Sequence, residues 1–386
     1  MIPEGWSSSG ETDTGASAAS GPSIDPDLVS VVIPAFNRAH CIARALQSVV
    51  DQSYPAIEII VVDDRSTDGT VGVVRSLHSA RPVRVVRLAR QHGAPGARNV
   101  GIRIARGAYI AFLDSDDVWH PSKLERQIAL LKQRGEEFGA CYTGIASYNE
   151  AGELSGVSRA RAEGDLRLEL RNHNLVGSTS CVLVRRELLR AAGGFTPALR
   201  SCQDWDLWLR LAERTKFACV PEFLTIIEAA SKGRITTSGK ARLSGHLYMY
   251  RTHLRPHFRS GAVDPTLFRS IVAEALMQRG RPRSAARLLF LNWRAKPRSL
   301  KRAALFLLAS LRMPAARFAR AGEILSRVED RLRPTAIVPP LGAAREALRA
   351  LLSMRRSRPP KDPVLLLRVR PFRDVAIFVH KPPARG

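Results

Sequence analysis

Short apolar runs alternating with helical spacings dominate the first third of the chain. Val29-Ser30-Val31-Val32-Ile33 reads as a first strand, closed by Pro34. Behind it Ile42, Ala45, Leu46 and Val49 recur at i, i+3, i+4 and i+7, which places four apolar side chains on one helix face. Ile57 to Val62 predicts a second strand running into Asp63-Asp64, and Asp68-Gly69 opens a helix through Val71, Val74 and Leu77. Val83 to Leu88 predicts a third strand, Gly93 to Gly96 a loop before a short helix, and Tyr109 to Leu113 a fourth strand. Strands alternating with helices at this spacing predict a mainly parallel, doubly wound α/β sheet. Ligands of such sheets sit in the crevice beyond the C-terminal strand ends. Both acidic clusters, Asp63-Asp64 and Asp114 to Asp117, fall there.

The pattern then loosens. Cys141 to Ser147, Thr179 to Val184 and Phe217 to Val220 read as strands, with helices near Lys123–Arg134 and Asp204–Glu213. Beyond about residue 241 only helical spacings remain, at 265–279, 283–293, 300–311, 315–328 and 342–354. Charge divides at the same place. Of 60 Lys and Arg, 31 follow residue 241, against 8 of the 35 Asp and Glu, so the last 145 residues carry +23 of the formal +25. The expected organisation is a disordered tail over 1–27, an α/β domain over 28–241, a basic helical region over 242–330 and a Pro/Arg-rich, partly disordered tail over 331–386. Residues 1–27 lack the charged and apolar regions of a secretion signal. No apolar run reaches the ~18–20 residues of a membrane span. The five cysteines are odd in number and without a CxxC pair. That spacing speaks against a zinc site or a disulfide frame and for a reducing compartment.

Four segments carry candidate chemistry. In Asp114-Ser115-Asp116-Asp117, crowded carboxylates call for a divalent cation with hard oxygen ligands, Mg²⁺ or Mn²⁺, which would in turn hold a diphosphate. An acidic turn capping the helix opened by Pro121 explains the run equally well. Asp63 and Asp64 suit a uracil imide or a ribose hydroxyl, or belong to a turn in which Ser66 or Thr67 caps the next helix. Arg98-Asn99, after the Gly93/Gly96 loop, offers a phosphate-facing cation or an ordinary helix start. The glycines do not match GxGxxG, which argues against a nicotinamide site. Asp204, behind Gln203 at a helix start, suits a general base or a cap. Trp208 and Leu211 would anchor that helix.

Together and in this order, Val31-Val32-Ile33-Pro34-Ala35-Phe36-Asn37, Asp63 to Thr70, Ala97-Arg98-Asn99-Val100-Gly101, Asp114 to Asp117 and Gln203-Asp204-Trp205-Asp206 resemble the family 2 glycosyltransferases over roughly residues 28–241. The resemblance implies a GT-A nucleotide-sugar-binding fold. It implies that Pro34, Ala35 and Asn37 line the nucleotide pocket and that Asp63 and Asp64 recognise the base. Asp114 would meet the ribose and diphosphate, Asp116 a divalent metal, and Arg98, Asn99 and Gln203 the substrates. Asp204 would be the catalytic base. Gln203 stands where relatives have Glu, and Phe36 where Tyr is common. Residues 228–237 lack the His that many relatives place near the metal, leaving Lys232, Arg234 or Thr236 for that role.

The function implied is a metal-dependent, inverting transfer from a nucleotide-diphosphate sugar, with a UDP-sugar as first candidate. The acceptor would be a glycan or lipid-linked glycan in cell-surface polysaccharide synthesis. Rival readings are a nucleotidyl- or phospho-sugar transferase and a non-catalytic basic scaffold or nucleic-acid-binding protein. The basic region has few aromatics for base stacking, which disfavours nucleic acid. Its interleaved Leu and Arg, as in Arg287 to Arg294, fit either packing on the catalytic domain or docking on an anionic membrane. The expected location is cytoplasmic, with a peripheral station at the inner membrane face.

Overall fold

The computed structural model describes residues 25–325, apart from 78, 80, 150–151, 229–238, 260–262, 296–299, 312–313, 315–316, 319–320 and 323. The candidate residues Lys232, Arg234 and Thr236 lie outside these described residues. So do the 342–354 helix and the 331–386 tail, and most of the 315–328 helix.

Strands β1 (Asp25–Ala35), β2 (Ile57–Asp63), β3 (Val83–Arg87) and β4 (Gly107–Phe112) form a parallel half-sheet in the order β3-β2-β1-β4. Alternation sorts their side chains between two layers. Val29, Val31 and Ile33 of β1 join one core cluster with Ile42, Leu46 and Val49 of helix α1 (Ile42–Val50). Val32 and Phe112 point the other way, into a second cluster with Trp205 and Trp208. Helix α2 (Thr70–Arg75) follows β2, and α3 (Gly93–Ile104) precedes β4. The expected Gly93–Gly96 loop is thus the first turn of α3. Asp64 makes that possible: its two carboxylate oxygens accept the backbone N–H groups of His92 and Gly93, at 2.7 and 2.8 Å. They satisfy donors that a helix start leaves orphaned. Gly101 lets α3 lie close on the sheet, since a Cβ there would meet Val32 Cγ1 at 2.3 Å.

The other half of the sheet is mixed. Strand β8 (Val182–Arg185) runs antiparallel to β4 and to β6 (Phe138–Tyr148), β6 runs parallel to β9 (Lys216–Glu228), and β5 (Asp117–Trp119) runs antiparallel to β9. Strand β7 (Leu154–Ser158) pairs with β6. Three expectations change here. Thr179–Cys181 is a 3₁₀ turn and not the start of a strand. The strand expected at 217–220 extends to Glu228, because a bulge after Val220 absorbs Pro221 and Glu222 before Phe223 pairs with Gly144. Asp117 belongs to β5 and does not cap helix α4 (Lys123–Arg134), whose cap residue Ser122 makes no side-chain cap bond.

Helices α5 (Arg167–Asn172), α6 (Arg186–Ala191) and α7 (Gln203–Ala212) complete this body. After it come α8 (Gly239–Met249), a π-turn (Tyr250–Leu254), α9 (Arg255–Arg259), α10 (Thr266–Gln278), α11 (Pro282–Ala295) and α12 (Leu300–Ser310). The last three share their own apolar cluster around Met277, Leu289 and Leu308. No helix among the described residues is long and apolar enough to cross a membrane. All five cysteines are free thiols.

Candidate active site

A cavity of about 590 Å³ opens beyond the C-terminal ends of β1 and β4. Pro34, Ala35, Asn37, Asp64, Arg98, Asp114, Asp116, Gln203 and Asp204 all line it. Nine of the eleven expected site residues are thereby brought together, from segments as far apart as residues 34 and 204.

Local chemistry explains most of the placement. Asn37 adopts a left-handed backbone (φ 53°), its N–H donates to Ser66 Oγ at 2.9 Å, and its Oδ1 accepts the N–H of Thr67 at 2.8 Å. It stitches the β1 and β2 ends together. In the same loop Asp68 Oδ1 accepts the N–H of Thr70 at the start of α2, so Asp68 does the capping expected of Ser66 or Thr67.

Arg98 is the hub of the site and is buried. One guanidinium nitrogen donates to Gln203 Oε1 at 3.0 Å, another to Asp114 Oδ1, and the group stacks 5.2 Å from the Phe195 ring. A surface arginine at an ordinary helix start is therefore excluded. The Arg98 fork joins the wall built from β4 to the wall built from α7.

The expected crowding of three carboxylates does not occur. Asp114 is turned to Arg98 and to Thr179 Oγ1, and the Ser180 hydroxyl donates to Asp117 Oδ2 at 2.6 Å. Among the described residues no three His, Cys, Asp or Glu gather as a metal-binding group. Asp114, Asp116 and Asp117 still share the cavity wall as an all-oxygen set. That set fits a cation held by one or two carboxylates with substrate phosphates supplying the other ligands, the usual habit of Mg²⁺.

Also on the cavity wall, Asp204 is the second residue of α7. Burial pushes its carboxyl above the usual carboxylate range, against the opposing pull of the Trp205 N–H, Asn174 and Arg98. Asn174 Nδ2 donates to Asp204 Oδ2 at 3.0 Å. Trp208 and Leu211 anchor the helix, both fully buried.

Two expected residues stand elsewhere. Asp63 is fully buried, accepts the Ser66 N–H at 3.1 Å and lies 3.5 Å from Arg87 Nε. Asn99 exchanges a reciprocal pair of bonds with the backbone of Phe195, 2.8 Å each. Neither lines the cavity. Conversely Arg38, Ser178, Thr179, Arg200 and Cys202 line it without having been singled out. The Ser178-Thr179-Ser180 run before an apolar strand was the available signal for two of them.

Parallel and mixed half-sheets meeting at a crevice with acids on both walls are the GT-A arrangement of glycosyltransferases. A family model, Glycosyl transferase family 2, matches residues 30–193. The putative teichuronic acid biosynthesis glycosyltransferase TuaG of Bacillus subtilis is 30% identical over 237 residues, covering 60% of this chain and 90% of that protein. The UDP-Glc:alpha-D-GlcNAc-diphosphoundecaprenol beta-1,3-glucosyltransferase WfgD of Escherichia coli is 38% identical over 115 residues, 30% of this chain and 45% of that one. The crystal structure of S. aureus TarS 1–349 with UDP-GlcNAc superposes with a TM-score of 0.50 at 18% identity, over 81% of this chain and 95% of that one, a likeness of fold. This chain belongs to the family 2 glycosyltransferases. Against several other relatives it spans only about half of their length.

Proposed function

We propose that the chain transfers a sugar, with inversion, from a nucleotide-diphosphate sugar to an acceptor hydroxyl, and that Asp204 is the base. The observation that carries this is one cavity lined by Asp114, Asp116 and a burial-raised Asp204, with Arg98 bonded both to Asp114 and to Gln203 beside Asp204. A carboxylate of raised pKa is a stronger base than a free one. Asn174 holds Oδ2 and so orients the carboxylate that takes the acceptor proton as the acceptor oxygen attacks the anomeric carbon. The bond to the nucleoside diphosphate breaks on the opposite side, towards Asp114 and Asp116. A bound Mg²⁺ or Mn²⁺ would neutralise the charge left on that diphosphate. Arg38 and Arg200, both on the cavity wall, are further cations for the phosphates.

The names of the relatives support the rest. A UDP-sugar donor and a lipid-linked glycan acceptor agree with the WfgD name, and cell-surface polysaccharide synthesis with that of TuaG. A peripheral station on the cytoplasmic membrane face agrees with helix α11. Arg283, Arg287 and Arg294 are exposed there at i, i+4 and i+11, with exposed Phe290 and Leu291 between them. Basic side chains flanking apolar ones suit an anionic lipid surface.

The test is calorimetry with UDP, GDP and dTDP, with and without Mn²⁺, beside turnover of the matching donor. Asp204→Asn should lower transfer by about three orders of magnitude or more while UDP affinity stays within threefold, and Asp116→Ala should remove the Mn²⁺ dependence of UDP binding. Undiminished transfer by Asp204→Asn would refute the base. Unchanged Mn²⁺-dependent affinity in Asp116→Ala would refute the metal ligand.

A further inference from the structure

The segment Gly245 to His253, which follows α7 in sequence, packs on the first turn of that helix and on the chain just before it. Gly245 of α8 lies so close to the chain before α7 that a Cβ would stand 2.6 Å from the Ser201 carbonyl oxygen. The His246 ring packs edge-on to Trp205, with centroids 6.0 Å apart, and its Nδ1 is 3.5 Å from Cys202 Sγ. Met249 is fully buried in the same cluster as Trp205 and Trp208. Finally, His253 Nε2 lies 2.8 Å from Asp206 Oδ1.

The last contact has two unusual features. Asp206 has no exposure at all, and its carboxylate is held by side chains from three directions. Thr196 Oγ1 donates at 2.8 Å, Arg210 Nη2 at 2.7 Å, and His253 completes the set. Burial alone would raise this carboxyl, yet the bonds from His253 and Arg210 hold it below the usual range. Moreover, His253 sits in the π-turn Tyr250–Leu254, between two ordinary helical segments. Such single π-turns are rare and shift the angular phase of whatever follows.

From this geometry we infer that His253 is a positioning residue for transfer. Through Asp206 it fixes the roll of the first turn of α7, and so the direction in which Asp204, two residues earlier, presents its carboxylate. Cys202 takes part in the same fixing. Its backbone is left-handed (φ 60°), and its carbonyl accepts the N–H of Asp206 at 3.0 Å, so Cys202, Asp204 and Asp206 move as one turn. The inference rests on the reading of Asp204 as base. It also gives the segment after the catalytic sheet a task inside the site, separate from any docking role.

The experiment uses the full chain and UDP-glucose, with glucose release to water as the minimal transfer and UDP affinity measured separately. His253→Ala should lower kcat about 10- to 100-fold, the cost expected of a displacement near 1 Å, with KM and UDP affinity within threefold. His253→Gln, which keeps an N–H donor, should recover most of the loss. His253→Met, which fills the space without a donor, should not. Backbone amide exchange at Trp205 and Asp206 should quicken in the Ala and Met variants and remain slow in Gln, a reading available even if release to water is immeasurably slow. Wild-type kcat and unchanged amide exchange in His253→Met would overturn the inference while leaving Asp204 in place. Full activity in Asp204→Asn would instead overturn the base, and the inference with it. Equal losses in His253→Gln and His253→Met would also overturn it, because packing and not the hydrogen bond would then be the cause.

Discussion

Lys123 shows how a single residue can work against the stability of its own fold. It is fully buried at the start of α4, its Nζ donates to Gln127 Oε1 at 2.8 Å, and it lies 4.1 Å from the Trp119 ring centroid. Burial pulls its pKa down to about 7. The unfolded chain holds that proton to a far higher pH, so between about 10.5 and 7 unfolding takes up a proton that the folded state has released. Stability therefore falls as pH drops through this window and levels off below about 7. A drop of this size corresponds to roughly 4 kcal/mol at neutral pH. Lys123→Met should lose the Gln127 bond, which costs about 1–3 kcal/mol, and still come out more stable. Denaturant midpoints at pH 7 and pH 9.5 check this: the variant should be higher at pH 7 and the two proteins should converge at pH 9.5. A lower midpoint at pH 7 would mean that Lys123 is held as a well-paired cation.

At the scale of elements the contact between α3 and β1 sets the spacing of the cavity wall that carries Ala35 and Arg98. Gly101→Ala would drive a methyl group into Val32, a β-branched side chain with little freedom to turn away, at a cost of about 1–3 kcal/mol. Thermal unfolding should report that loss, and Val32→Ala in the same chain should restore part of it. Additive effects of the two substitutions would show that α3 does not press on β1 there. Strands β1, β2 and β4 were legible in the sequence because parallel strands covered on both faces are written as near-continuous apolar runs. The half-buried edge strand β3 was legible from its valines alone. The three residues of β5 carry no such signature, and Asp117 becomes a strand residue only because Ile227 lies opposite it. Pro221 and Glu222 concealed the true length of β9, since a proline usually marks a strand's end. Asn99 has the chemistry of a ligand contact but spends it on the backbone of Phe195, and Asp63 Oδ2 serves the Ser66 N–H and Arg87. Sequence spacing cannot tell a carboxamide facing a cavity from one clamping a loop.

For the whole molecule the question is where the uneven charge is used. Membrane attachment through α11 should depend on Arg283, Arg287 and Arg294, each worth about 1 kcal/mol at an anionic surface. Flotation with phosphatidylglycerol vesicles at low salt should recover the full chain. The triple change to Gln should weaken partitioning about a hundredfold. Equal flotation of both proteins would assign attachment to another surface, and no flotation of either would leave the Arg faces to solvent.

The pairing of β5 with β9 also orders events in time. Asp117 is pinned opposite Ile227, about 110 residues further along the chain. At roughly 5–20 residues per second, a ribosome delivers the acidic loop some 5–20 seconds before the strand that holds it. Early in that interval the nascent chain holds the cavity residues up to Asp117 but lacks Ser178 to Asp204 and the strand that pins the acidic loop. A chain released early leaves strand edges unpaired, so translation that pauses between Asp117 and Ile227 should favour aggregation more than a pause beyond Glu228.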